Sequence, residues 1–211
     1  MKRILVIERE YGTGAVDIAK LAAERLGWKL LDQALTEQIA RLAKVSPETC
    51  QSREEKIDSW GYRLAKVFWR GSYERSLPVA DGDIVDADRL ICLSEQVIDE
   101  AAAAGQCVIV GRGAPYFLRN RADTFCVFLY ASREWKYQRV LARVKDEAEA
   151  LRLVDNVDEE RREFIRHYYK VEWPVRHLYH AMLNTEMGVE AATEAILWLM
   201  EGANQREHPV K

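Results

Sequence analysis

Apolar positions along the chain fall into five short runs, most of them continuous rather than alternating: Arg3–Ile7, Lys29–Leu31, Cys107–Val110, Phe125–Tyr130 and Ala181–Leu183. Continuous runs of β-branched, aliphatic and aromatic residues are how strands covered on both faces of a parallel sheet read. Between them the period lengthens to that of a helix. Ile18, Leu21, Ala22 and Leu26 share one face of a segment from Val16 to Leu26, and Gly27 supplies the stop. The first unit is therefore βαβ. Further helical patterns span Leu35–Lys44, Trp60–Arg70, Ala87–Ala104, Glu134–Arg143 behind a Ser132 cap, Asp158–Tyr169 and Val189–Glu201.

Strands that alternate with helices predict an α/β fold around a parallel sheet. The interval 44–89 carries Ser46-Pro47, Gly61, Gly71, Pro78 and Gly82 but no strand pattern, and reads as a helical insertion within one domain of 1–211. Residues 202–211 read as a polar tail. The length of 211 residues suits one sizeable domain, at a soft prior of roughly 150 residues each.

Composition narrows the function classes. Lys and Arg number 31 against 34 Asp and Glu, a net charge of -3, so no general field draws the chain to nucleic acid or an anionic membrane. The longest apolar run, Phe125–Ala131, has 7 residues, where a membrane span needs about 20. Glu8 cuts off the first apolar run before a signal-peptide core of roughly 7 to 15 residues forms. The four cysteines, Cys50, Cys92, Cys107 and Cys126, include no C-x-x-C pair, and with Cys107 and Cys126 inside apolar runs they read as reduced, buried thiols of a cytoplasmic protein rather than disulfides or a metal site; this expectation rests on Cys107 and Cys126. No sequence feature sets an oligomeric state.

Three stretches carry candidate chemistry. Strand 1 runs into Glu8-Arg9-Glu10-Tyr11-Gly12-Thr13-Gly14-Ala15 and then a helix. A Gly-x-Gly turn there lets bare backbone N–H groups converge at the positive end of a helix dipole, a place for phosphate, or it simply makes a tight strand-to-helix turn. Against the pattern G-x-x-x-x-G-K-[ST], Arg9 stands at the first glycine, Gly14 matches the second, Ala15 replaces the lysine and Val16 the hydroxyl residue. Second, Val108-Ile109-Val110-Gly111-Arg112-Gly113 places a guanidinium at the carboxyl edge of the sheet, where it meets phosphate oxygens or salt-bridges across strand ends. Third, Arg161, Arg162 and Arg166 lie on a charged helix that either closes over a polyphosphate or is a solvated surface.

Smaller signals are read more plainly. Trp60, Leu64, Val67 and Phe68 form a core stripe opposite Arg63, Lys66 and Arg70, and Arg63 or Arg70 is the candidate clamp for an acceptor phosphate. Asp81, Asp83, Asp86 and Asp88 do not meet the EF-hand spacing, and His177 with His180 lacks a third ligand beside it.

Taken in order, these features resemble the nucleoside monophosphate kinases, most closely the cytidylate-kinase-like family of P-loop proteins. The resemblance runs from Ile7 to Gly14, through Ile18-Ala19, Leu26-Gly27 and Leu31-Asp32, to Val108–Ala114. It resumes at Val127-Phe128-Leu129 with Ala131 and Arg139, then at Asp158 with Arg161, Tyr168-Tyr169 with Trp173, and Leu183-Asn184-Thr185. It implies a three-layer αβα domain whose five-stranded parallel sheet has the order 2-3-1-4-5. It implies a helical insertion for the acceptor nucleotide, with Asp32, Arg63, Arg70 and Gly111 binding substrate, and a helical lid in 144–173. Tyr11, Gly12, Thr13, Gly14, Ala15 and Val16 would hold the donor, ATP or another triphosphate with its Mg2+ carried by the phosphates. Arg9, Arg112, Arg161, Arg162 and Arg166 would be the catalytic cations, since phosphoryl transfer asks mainly for positioning and charge neutralisation. The implied activity is transfer of a γ-phosphoryl group to a nucleoside monophosphate, cytidylate first, with a small nucleotide as the only partner. The departures are Ala15, Val16, Val110 where cytidylate kinases place an Asp, and Pro174-Val175 after Trp173. They favour an alternative, a degenerate kinase that senses a nucleotide or phosphometabolite without turnover. Glu8, Asp17 and Asp32 are the carboxylates left for a metal shell.

Overall fold

The computed structural model of the chain describes residues 1–32 and 87–206. Five parallel strands, β1 (Ile4–Arg9), β2 (Lys29–Leu31), β3 (Cys107–Val110), β4 (Thr124–Tyr130) and β5 (Ala181–Asn184), form one sheet of order β2-β3-β1-β4-β5. Central β1 pairs Ile4 with Cys107 on one side and with Thr124 on the other. The described helices are α1 (Ala15–Leu26), α2 (Ala87–Ala104), the short α3 (Ala114–Phe117), α4 (Arg133–Val144), α5 (Glu147–Tyr169) and α6 (Val189–Arg206).

Continuous apolar strands follow from cover on both faces. Alternate residues of each strand enter separate cores: Leu5, Ile7, Val108, Val110, Val127 and Leu129 pack against α1 and α6, through Ile18, Ala22, Ala192 and Ile196. Ile4, Val6, Ile109, Cys126 and Phe128 pack on the opposite face against α2 and the end of α5, through Val97, Ile98, Phe164 and Ile165. A third, smaller cluster joins Tyr11 to Val140 of α4 and to Ala150, Val154 and Val157 of α5. The sheet therefore sits as the middle of three layers, and α4 with the first half of α5 lies beyond it, over the turn that follows β1.

The structure amends two elements. Helix α5 begins at Glu147, three turns before the expected start at Asp158, because Asp146 caps it by accepting from the Glu149 N–H at 2.8 Å. Helix α6 continues to Arg206, so the first half of the expected tail is helical; Asn204 accepts a hydrogen bond from the Lys2 N–H and holds it to the chain start. The cap at Ser132 is as expected, its hydroxyl accepting from Trp135 N–H. His180 is structural: its Nδ1 accepts from Cys126 N–H at 3.0 Å. Cys107 and Cys126 are buried free thiols, the first pushed by burial up to about 11. Of the insertion 44–89, only the opening residues of α2 are described; the patterns at Leu35–Lys44 and Trp60–Arg70, the Asp81 to Asp86 acidic loop, Arg63, Arg70 and Cys50 lie outside the described residues.

Candidate active site

The carboxyl edge of a parallel sheet is where open α/β folds receive ligands, and here it is set by the turns after β1 and β3. The turn after β1 leads into α1 through Gly14, which holds φ at +76° as the residue before the helix, and its carbonyl accepts from Asp17 N–H and Ile18 N–H at 3.1 and 3.2 Å. The first amides of α1 have no side-chain cap from this position. That leaves the positive helix end and its first backbone donors without a capping side chain, the requirement for holding a phosphate, while Gly12–Ala15 themselves are buried with Lys136, Arg139 and Val140 against the two glycines. Thr13 turns inward instead, its hydroxyl donating to the Glu10 carbonyl at 2.9 Å.

The turn after β3 is Gly111-Arg112-Gly113, and all three residues take left-handed φ, of 64°, 60° and 76°. An arginine held there stores on the order of 1 kcal/mol or more of backbone strain, which persists only where the surroundings over-determine it. Gly111 is required by contact as well as by φ, because a Cβ there would collide with the Arg9 guanidinium. The Arg9 guanidinium thus lies against the turn that carries Arg112, and both arginines are buried there, 6% and 3% exposed. Asp32, at the end of β2, is buried beside both; burial raises its carboxyl above the usual range while Arg9, Arg112 and Lys20 pull the other way. The structure therefore brings together Arg9, Gly111, Arg112 and Asp32.

The candidate arginines of α5 are dispersed, not clustered. Arg161 is buried, donating to the Arg9 carbonyl at 2.6 Å and to Asp158 at 3.0 Å, with its guanidinium 5.5 Å from the centre of the Trp173 ring. Asp158 in turn accepts the Tyr11 N–H at 2.7 Å. Arg162 is a surface residue paired with Glu159, and Arg166 is exposed. Arg161 and Asp158 therefore bolt α5 to the loop at Arg9–Tyr11.

Sequence reasoning missed Lys136 and Arg143 on α4 and gave no role to Arg139, which it quoted only as part of the resemblance. Lys136 is buried and donates to Glu10 at 2.9 Å and Asp158 at 3.1 Å; burial depresses its ammonium, but Asp158 and Glu10 outweigh that and raise it. Arg139 pairs with Asp17 at 3.0 Å, and Arg143 donates to the Tyr11 hydroxyl with its guanidinium 5.4 Å from the ring centre. Their spacing at i, i+3 and i+7 marks one helix face and was the signal available in the sequence. Val140 on the same face approaches Gly12, where a Cβ would stand 3.1 Å from Val140 Cγ2.

Each carboxylate considered for a metal shell has a guanidinium beside it. Glu8 accepts from the Arg9 N–H at 3.0 Å and its guanidinium at 3.4 Å, Asp17 faces Arg139, and Asp32 lies near Arg9 and Arg112. Among the described residues no three His, Cys, Asp or Glu side chains converge. A donor set of backbone N–H groups and guanidinium groups suits an oxyanion, and a magnesium ion fits as one carried in on phosphate oxygens.

Comparison with known proteins gives a family and a fold. The model of the cytidylate kinase-like family matches residues 4–187. No curated protein sequence matches. Among solved structures, an uncharacterized protein from Eubacterium ventriosum aligns with TM-score 0.65 at 22% identity, covering 96% of this chain and 99% of that one. A gluconokinase from Sinorhizobium meliloti aligns with TM-score 0.55 at 14% identity, over 99% and 100% of the two chains. A shikimate kinase from Acinetobacter baumannii, in complex with shikimate, aligns with TM-score 0.53 at 16% identity, over 96% and 94%. At these identities the likeness establishes the fold, a five-stranded P-loop kinase sheet with helices on both sides.

Proposed function

Since the chain belongs to the cytidylate kinase-like family, we propose that it is a phosphotransferase that moves the γ-phosphoryl of a nucleoside triphosphate to a nucleoside monophosphate or similar small acceptor, with cytidylate the first acceptor to test. The observation that carries this reading is the facing of two turns at one sheet edge: the Gly12–Ala15 backbone at the start of α1, and the Arg9–Arg112 pair beside it. Phosphoryl transfer needs little covalent chemistry from protein, mainly alignment and neutralisation of charge.

In this reading the loop amides from Gly12 to Val16 hold donor phosphates, and Arg9 and Arg112, fixed by burial, neutralise charge at the transfer point. Mg2+, which no group of protein carboxylates among the described residues would hold, would enter with the substrate phosphates and supply Lewis-acid neutralisation of their charge. Arg161 keeps the loop in shape through the Arg9 carbonyl, while Arg162 and Arg166 are the solvent-facing cations left to the lid. Arg63 and Arg70 are assigned to the acceptor phosphate, with Asp32 and Gly111 on the acceptor side. The chain works in the cytoplasm on small molecules, without nucleic acid or membrane. No helix among the described residues is long and apolar enough to cross a membrane.

A second reading, a sensor that binds without turnover, draws on Ala15, Val16 and Val110, which remove the lysine, the hydroxyl and the acidic residue. A coupled assay with magnesium ATP and a panel of monophosphates, set beside calorimetry with the same ligands, separates the two. Turnover with one monophosphate selects the kinase, binding without turnover selects the sensor, and neither at millimolar ligand refutes both.

A further inference from the structure

The stretch Gly12–Val16 carries no cation of its own, Ala15 standing at the lysine position, yet a cation from elsewhere lies against it. An ideal Cβ built on Gly14 would lie 2.7 Å from Nη2, 2.9 Å from Cζ and 3.2 Å from Nε of Arg139, so this guanidinium lies flat against the glycine that opens α1. A guanidinium and the positive end of a helix repel; they share a place stably only when an anion sits with them. Asp17, in the first turn of α1, is that anion, 3.0 Å from Arg139 Nη2.

The neighbouring cations of α4 are committed elsewhere. Lys136 is buried between Glu10 and Asp158, and Arg143 is held by the Tyr11 hydroxyl. The Arg139–Asp17 pair differs because it is open to solvent, its side chains 32% and 53% exposed. Ion pairs that exposed hold weakly and yield to a stronger anion. A triphosphate has more charge than one carboxylate and also accepts from the loop amides, which Asp17 leaves alone.

We propose that Arg139 is the displaced counterpart of the missing loop lysine: it contacts the donor's phosphates from α4, and Asp17 holds it over Gly14 until a polyphosphate takes it. This rests on the loop being a donor-phosphate site, as proposed above, and adds which side chain supplies its charge and what competes for it. The arrangement also accounts for Ala15, since a lysine there would bring a second cation to a place Arg139 already fills.

The competition gives substitutions of opposite sign. Calorimetry with ATP and with inorganic tripolyphosphate is carried out on the full chain and on Arg139→Ala, Asp17→Asn and the double variant, with thermal melts to verify folding. Arg139→Ala is expected to weaken both ligands about tenfold or more, the size of a lost charge-assisted contact. Asp17→Asn is expected to tighten both by about two- to fivefold, as for release of an exposed ion pair, and the gain should vanish when Arg139 is also alanine. Affinity of Arg139→Ala within twofold of the parent, while Gly14→Val abolishes binding, overturns this inference and leaves the loop assignment standing. Equal or weaker binding by Asp17→Asn overturns the competition. A parent that binds neither ligand at millimolar concentration overturns the loop assignment, and this inference with it.

Discussion

Gly14 concentrates two constraints in one atom's absence. Its φ of +76° is strained for any side chain, and a Cβ would press on Arg139. Gly14→Val is therefore expected to abolish triphosphate binding in calorimetry and to cost about 1–3 kcal/mol of stability, as residues forced into such backbone regions do. Asp32 carries a different constraint. Its carboxyl is raised by burial, so between the unfolded value of 3.8 and the folded one the native state binds more protons than the unfolded state. Stability contributed by this group is thus complete in acid and falls as pH rises through that window. Asp32→Asn is expected to be more stable than the parent at pH 7, with the advantage gone below pH ~3.8, checked by urea midpoints at both pH values.

At the scale of elements, α4 and α5 hold the loop after β1 by buried polar bonds. Tyr11 N–H, Lys136 and Arg161 all converge on the Asp158 carboxylate. Removing one partner of such a set strands the others in low dielectric, so Asp158→Ala should cost about 3–5 kcal/mol. The same change should release the Tyr11 amide to rapid hydrogen exchange, and unchanged protection there would detach α5 from the loop. Arg162→Ala is the contrast: its pair with Glu159 is exposed, and the expected change in unfolding free energy is within about 1 kcal/mol. Arg161 belongs with Asp158 in this comparison, so its loss should lower the unfolding midpoint as well as any turnover.

Over the whole molecule, stability rests on the two apolar layers either side of the sheet. Phe128 is fully buried, meeting Trp173 and Tyr179 rings at 5.4 and 5.1 Å, and Phe128→Ala should cost about 3–5 kcal/mol. Trp198 on α6 is 73% exposed, and Trp198→Ala should shift stability by no more than about 0.5 kcal/mol in the same denaturation experiment. The layers also position chemistry: β1 lies between β3 and β4, so turns from both sides of the centre open onto one edge. Arg9 and Arg112, 103 positions apart in the chain, come to the same edge because β1 and β3 pair in register from Ile4 and Cys107.

What the sequence by itself determined was everything set by local periodicity. Apolar runs at Lys29–Leu31 and Cys107–Val110 and the helix Ala87–Ala104 coincide with the structure residue for residue, because burial on both faces and a 3.6-residue stripe are each written within one segment. The Gly12-x-Gly14 turn and the Gly111-Arg112-Gly113 turn were legible for the same reason, each being a local backbone demand. The early start of α5 was not, since the apolar residues of its first turns, Ala150, Val154 and Val157, pack in a separate small cluster over Tyr11 rather than on the sheet, and the helix begins where Asp146 caps it. Tertiary structure alone decided which cation does what. Arg161 looked like its neighbours Arg162 and Arg166, yet it turns inward because the helix rotation that packs Val157 and Phe164 also aims it at the Arg9 carbonyl. Arg139 reached the loop because α4 docks Val140 against Gly12, a contact between segments over a hundred residues apart. Charge is a property of the residue, but its partner is chosen by packing across the chain, which no single segment encodes.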